Sequence, residues 1–161
     1  MNNRENPYTL YFGKEPAQII SRLKEYDEIY NTFTSRNPSQ LLYMITGVRG
    51  SGKTVLMTKV QNDIAKLDDW IVVELNPAKD MLVSLASKLY DHRQLKDIIK
   101  NAKINLSFFG IGVSLDASNP ITDIEIAISR ILEELKKHNK RVLVTIDEAA
   151  GTEYMRIFAG S

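Results

Sequence analysis

The chain reads as an α/β fold, a mostly parallel sheet layered between helices. Three observations predict it. Short runs rich in branched apolar residues at 41–46, 70–75 and 141–146 alternate with longer stretches whose apolar residues recur at helical spacing. The first of those runs is apolar without polar alternation, as in parallel strands buried on both faces. A glycine-rich loop then joins that run directly to a helical pattern, giving a strand, loop, helix unit.

Taken in order, the elements justify themselves locally. After a polar start, Pro16 opens a helical stripe of Ile19, Ile20, Leu23, Tyr26, Ile29, Tyr30 and Phe33, which Ser35-Arg36-Asn37-Pro38 brings to an end. Residues 41–46 follow as a strand. A helix then runs from Lys53 to about Leu67 on the stripe Val55, Leu56, Val60 and Ile64. Trp70-Ile71-Val72-Val73-Glu74-Leu75 is the next strand, stopped by Asn76-Pro77, and Met81, Leu82, Leu85, Ala86 and Leu89 mark the helix after it. A short helix near 93–100 leads into 104–115, mostly alternating and broken by Gly110 and Gly112, which suggests an edge strand or small hairpin. Thr122-Asp123-Ile124-Glu125 forms a capping box for a helix to about His138, faced by Ile124, Ala127, Ile128, Ile131, Leu132 and Leu135. Arg141-Val142-Leu143-Val144-Thr145-Ile146 is a further strand, and Met155, Ile157 and Phe158 belong to the start of a last helix.

The loop after the first strand, Gly47-Val48-Arg49-Gly50-Ser51-Gly52-Lys53-Thr54, fits G-x-x-x-x-G-K-[ST] at every fixed position, the P-loop or Walker A pattern. Its glycines permit a tight turn whose N–H groups point inward, and the following helix adds its positive end. A nucleoside triphosphate fits such a nest. Lys53 would reach the β- and γ-phosphates, Thr54 would ligate Mg²⁺, and Arg49 either touches phosphate or faces solvent.

The strand 141–146 runs into Asp147-Glu148, 93 positions after Thr54. Two acids after a strand are alone no more than a solvated loop start. Downstream of a Walker A pattern they read as Walker B, since ligands of a parallel sheet sit beyond its carboxyl ends. Asp147 would then hold the metal, and Glu148 would orient and deprotonate water. Gly110 and Gly112 lack a following Lys-Thr and read as structural rather than as a second phosphate loop.

Composition narrows the rest. With 21 Lys+Arg against 20 Asp+Glu, net charge +1, nothing global draws the chain to nucleic acid or an anionic membrane. The basic cluster Lys136-Lys137-His138-Asn139-Lys140-Arg141 complements the negative end of the preceding helix, which makes a nucleic-acid partner the weaker reading. Cysteine is absent, and His92 and His138 have no partner at ligand spacing, so a transition-metal site is not expected. No uncharged run exceeds 12 residues, and 104–115, one of that length, is too short and polar to span a bilayer; the first residues lack a signal-peptide apolar stretch. A cytoplasmic location is the default expectation.

On Gly47 to Thr54, Arg141 to Glu148 and the segment Tyr11-Phe12-Gly13-Lys14-Glu15, the chain resembles the AAA+/STAND ATPases. Those proteins tend to open with two hydrophobic residues, Gly, Arg and Glu, and here Lys14 stands in place of the Arg. The resemblance implies a three-layer P-loop sandwich binding Mg-ATP, with residues 1–15 an opening segment that brings Tyr11 and Phe12 near adenine and ribose, and 16–161 the nucleotide domain. No Asn-Lys-x-Asp occurs, which disfavours guanine, and the adjacent Asp-Glu favours water activation over a small-molecule kinase. In such ATPases a polar sensor strand, an Arg finger and a lid follow Walker B. The chain ends at Ser161, so the resemblance implies a fold truncated after the Walker B strand. The sensor strand normally lies between the P-loop and Walker B strands. Its loss predicts unpaired sheet edges, closed within the chain or by homo-oligomerisation. The expected function is ATP binding with hydrolysis. The alternatives are a non-hydrolysing switch or assembly module and, less favoured, a DNA-associated ATPase.

Overall fold

A computed structural model describes residues 22–112 and 118–149. The chain divides into two compact units, one reaching to Ile64 and one beginning at Ala65.

The first unit packs α1 (Leu23–Thr34) on α2 (Lys53–Ile64). In α1 the predicted stripe turns inward only in part: Ile29 is buried, Tyr26, Tyr30 and Phe33 are half-buried and Leu23 is 45% exposed, while Ile19 and Ile20 lie outside the described residues. Tyr26 stacks on Tyr30 with ring centroids 5.7 Å apart. Helical spacing places Tyr26 and Tyr30 on one face four residues apart, so their rings meet without distortion. The Tyr26 hydroxyl donates to Asp63 Oδ2 of α2 at 2.7 Å, and Lys59 lies 4.9 Å over the same ring and 3.7 Å from the same carboxylate. Burial first, then the bond to Asp63, push the Tyr26 phenol up to about 12. The helix stops at Ser35, whose extended backbone turns its N–H back to the carbonyls of Asn31 and Thr32. In α2, Leu56, Val60 and Ile64 are buried, whereas Val55 from the same predicted stripe is 54% exposed.

The expected strand at 41–46 is not formed. The described residues contain one sheet, of two strands, and 41–46 is outside it. Tyr43 and Ile45 are half-buried, Tyr43 donating to Thr32 Oγ1 at 3.0 Å and meeting Phe33 edge-on, but Leu41, Leu42 and Met44 are about four-fifths exposed. The physical reason is that a run of apolar residues becomes a strand only when a neighbour supplies its ladder hydrogen bonds.

The second unit holds a larger core. Its strands, β1 (Trp70–Leu75) and β2 (Arg141–Ile146), have the residues predicted and pair in parallel, Trp70 opposite Arg141 through Leu75 opposite Ile146. A parallel pair needs a long crossover. Here it carries α3 (Met81–Asp91), α4 (Lys96–Asn101) and α5 (Ile124–Lys137). Ile71, Met81, Leu89, Leu95, Leu106, Ile131 and Leu135 are fully buried in the resulting cluster. Truncating any of the Leu or Ile side chains to Ala would cost about 2–5 kcal/mol.

Helix ends show how the backbone is satisfied. Asp80 caps α3 by accepting from the Val83 N–H at 3.1 Å. For α5 the cap is Asp123, accepting from Glu125 and Ile126, and not Thr122 as the capping-box spacing predicts. Two helices end in Schellman turns with a left-handed residue that is not glycine. After α5, Asn139 (φ 54°) bonds Lys136 and Lys140 bonds Leu135. After α4, Lys103 (φ 52°) bonds Lys100 and Ile104 bonds Ile99, both isoleucines being buried.

The expected edge strand or hairpin at 104–115 is also corrected. As far as residue 112 the segment holds a 3-10 turn at Ser107–Phe109, closed by Gly110 in a left-handed conformation. Gly112 takes φ 68°, and a Cβ there would lie 2.5 Å from the Tyr90 ring. Its glycine thus has a packing reason, as the structural reading of this pair expects. On α5, Ala127, Ile128, Ile131 and Leu135 face the core, while Leu132 is 41% exposed.

Among the described residues no helix is long and apolar enough to cross a membrane.

Candidate nucleotide site

The glycine loop folds tightly on itself before α2. Gly47, Gly50 and Gly52 have φ of 154°, 81° and 81°, in the region that favours glycine. At Gly47 the space is also spoken for: a Cβ would lie 2.7 Å from Ser51 Oγ and 3.5 Å from Arg22 Nη2. The Ser51 N–H closes the turn onto the Val48 carbonyl at 3.1 Å, and Leu56 N–H to Gly52 carbonyl at 3.0 Å starts the helix. Ser51 Oγ is itself buried and makes no hydrogen bond.

Lys53 curls back over the loop. Its ammonium donates to the carbonyls of Gly47 at 2.8 Å and Val48 at 2.9 Å. A cation is therefore held over the turn by neutral carbonyls, and the first turn of α2 contains no acid. Helix N-termini present N–H groups without helical partners, so loop, lysine and helix together make an electropositive cradle. Thr54, the second residue of α2, is exposed, as are Val48 and Arg49.

The acidic pair follows β2 in the second unit. Asp147 is half-buried and Glu148 is exposed. The Glu148 N–H donates to Asp147 Oδ1 at 2.8 Å, and Glu148 has φ 52°, a left-handed conformation unusual for a non-glycine residue. Tyr11 and Phe12 lie outside the described residues.

Sequence reasoning passed over Arg22. It precedes α1, pairs with Glu25 at 2.9 Å and reaches Gly47. Nothing in the sequence marks it, since a cation at the start of an amphipathic helix looks like any solvated one. A cleft of about 320 Å³ lies away from this loop, lined by Val72, Val73, Glu74, Lys88, Asp91 and His92. Its lysine is engaged by the fold, Lys88 donating to the Glu74 carbonyl at 2.6 Å. The basic cluster after α5 is largely engaged too. Lys137 pairs with Glu134, Lys140 donates to the Asp68 carbonyl, and Arg141 pairs with Asp69 while its guanidinium stacks 4.5 Å over Trp70.

The profile of a family described as the ATPase domain predominantly from Archaea (ATPase_2) matches residues 20–156. The chain belongs to that family. No curated protein and no solved structure matches it. The match spans most of this ATPase domain, from just before α1 to beyond β2, and takes in both the glycine loop and the acidic pair. As an archaeal-type ATPase domain it carries ATP binding and ATPase chemistry in general as family properties. The engaged helix-terminal cations are part of the domain's own framework.

Proposed function

We propose that this domain binds Mg-ATP and hydrolyses it. The observation that carries the reading is the Lys53 ammonium held over a turn of three positive-φ glycines at the start of a 12-residue helix. Phosphate oxygens would take the place of the Gly47 and Val48 carbonyls around that ammonium, exchanging neutral acceptors for charged ones. The N–H groups of residues 47–54 would cradle the phosphates, and Tyr11 and Phe12 would flank the base and sugar.

Mg²⁺ fits the donor set. On this reading Thr54 would supply a hydroxyl and Asp147 a carboxylate, both hard oxygens. Among the described residues no three His, Asp or Glu side chains form an all-protein metal cage, and Mg²⁺ with a nucleotide does not require one. When bound, the ion would neutralise charge developing on the phosphates. Glu148 would act as the base, accepting a proton from the attacking water as the water oxygen bonds the γ-phosphorus and the bond to ADP breaks.

We read the wider architecture as an AAA+/STAND-type, three-layer P-loop sandwich over 16–161 preceded by a segment at 1–15, in a cytoplasmic setting that suits a chain with no cysteine. Calorimetric titration with ATP, ADP and GTP tests the binding. ATP and ADP should bind, GTP should not, and Lys53→Ala should abolish binding. A wild-type domain that binds none of them would sink the proposal.

One observation favours a second reading, a nucleotide-dependent assembly module with slow or absent turnover. Leu41, Leu42 and Met44 lead directly into the loop and are 82%, 78% and 82% exposed. A homo-oligomer pairing this segment would bury them and satisfy its backbone. Phosphate release distinguishes the readings: turnover lost in Glu148→Gln supports the enzyme, whereas tight binding without turnover in either protein supports the module.

A further inference from the structure

Three facts about Arg22 stand together. Its side chain is only 19% exposed although it precedes α1 and makes no capping bond to that helix. Its one ion pair among the described residues, Nη1 to Glu25 Oε2, leaves the other face of the guanidinium turned to the loop, with Nη2 3.5 Å from where a Gly47 Cβ would stand. It also lines a cleft of about 200 Å³ with Thr46, the residue entering that loop, and with the acids Glu25 and Glu28.

A planar guanidinium oriented by a carboxylate behaves differently from a mobile lysine. Its charge is permanent, and among the described residues its hydrogen bond is the one to Glu25 that orients it. Gly47 therefore lies beside two polar groups: a Cβ there would collide with Ser51 Oγ at 2.7 Å and stand in ordinary contact with Arg22 Nη2 at 3.5 Å. We propose that Arg22 is a positioning residue of the nucleotide site, bracing the first residue of the loop and adding a fixed positive charge beside it, so that the site favours the more highly charged triphosphate over the diphosphate. This rests on the reading of residues 47–54 as a phosphate loop. The braced turn keeps Lys53 in register with the phosphates, and the added charge acts more strongly on ATP than on ADP because ATP carries the extra phosphate.

The test is calorimetric titration of ATP and ADP, with Mg²⁺ present, into wild type, Arg22→Gln, Arg22→Lys and Glu25→Gln, with thermal unfolding of each. Removing one partly screened unit charge near a phosphate should lower the ratio of ATP to ADP affinity by roughly fivefold. We expect that drop in Arg22→Gln and a partial recovery in Arg22→Lys. Glu25→Gln releases the orientation of Arg22 but keeps its charge, so it should lower the ratio by clearly less than Arg22→Gln does while losing as much thermal stability. Equal weakening of ATP and ADP in Arg22→Gln, or the same change of ratio in Glu25→Gln, would reduce Arg22 to a helix-stabilising residue and overturn the proposal. Wild type binding neither nucleotide would overturn it together with the phosphate-loop reading, whereas wild-type binding with an unchanged ratio in Arg22→Gln would overturn it alone.

Discussion

At the scale of single residues, backbone conformation and chemistry meet at Glu148. A left-handed non-glycine residue is disfavoured by roughly 1–2 kcal/mol, and a glycine relieves that strain at the expense of unfolded-state entropy. Glu148→Gly should accordingly leave stability unchanged or raise it by up to about 1 kcal/mol in urea unfolding. If Glu148 is the base, the same substitution should cut phosphate release by roughly 10²- to 10⁴-fold. Stability preserved with turnover intact would assign the residue to the turn alone. Gly47 makes the converse case. Any side chain there meets Ser51 Oγ at 2.7 Å, so Gly47→Ala should disturb the loop and weaken nucleotide binding in the same titration.

At the scale of elements, the ends of helices were harder to place than their bodies. The stripe on α5 is plain in the sequence, yet its cap is Asp123 rather than Thr122, because Thr and Asp both suit that position and stand side by side here. Asp123→Ala should lower stability by about 1 kcal/mol, and Thr122→Ala should have little effect, by urea or thermal unfolding. The reverse result would restore the capping box. The same overlap of signals explains 104–112. Alternating apolar residues and glycines suit a strand or a chain of tight turns, and the choice fell to local geometry, with Gly110 ending a 3-10 turn and Gly112 lying against Tyr90.

At the scale of the whole molecule, titration and association carry the predictions. Burial, and then the positive charge of Lys140, lower the His92 pKa below its ordinary value, with Lys88, Asp91 and Glu74 facing the same cleft. A lowered folded pKa means that the native state binds fewer protons than the unfolded chain below about pH 6.5. Stability from this group is therefore present above that pH and lost as pH falls through the folded value. Thermal melts between about pH 7 and pH 5 should show this decline, and His92→Gln should flatten it. For association, Leu42→Glu combined with Met44→Glu changes exposed side chains and should leave the melting temperature nearly unaltered. If 41–46 mediates assembly, sedimentation with ATP should show wild type associating and the double variant monomeric.

The sequence by itself determined the features that depend on neighbours along the chain. The bounds of β1 and β2, the buried stripes of α3 and α5, and the glycine loop with its lysine all follow from local spacing and composition, and the match to the archaeal-type ATPase family spans all of them. The tertiary structure alone decided what depends on a distant partner. Leu41 to Thr46 is as apolar as any strand, but strand formation requires a ladder from elsewhere, so its state is not written in its own residues. Arg22 likewise carries no local mark. Only the packing of α1 against α2 brings its guanidinium to Gly47, because a contact across 25 positions is set by how helices fold back on each other and not by any periodicity the chain displays.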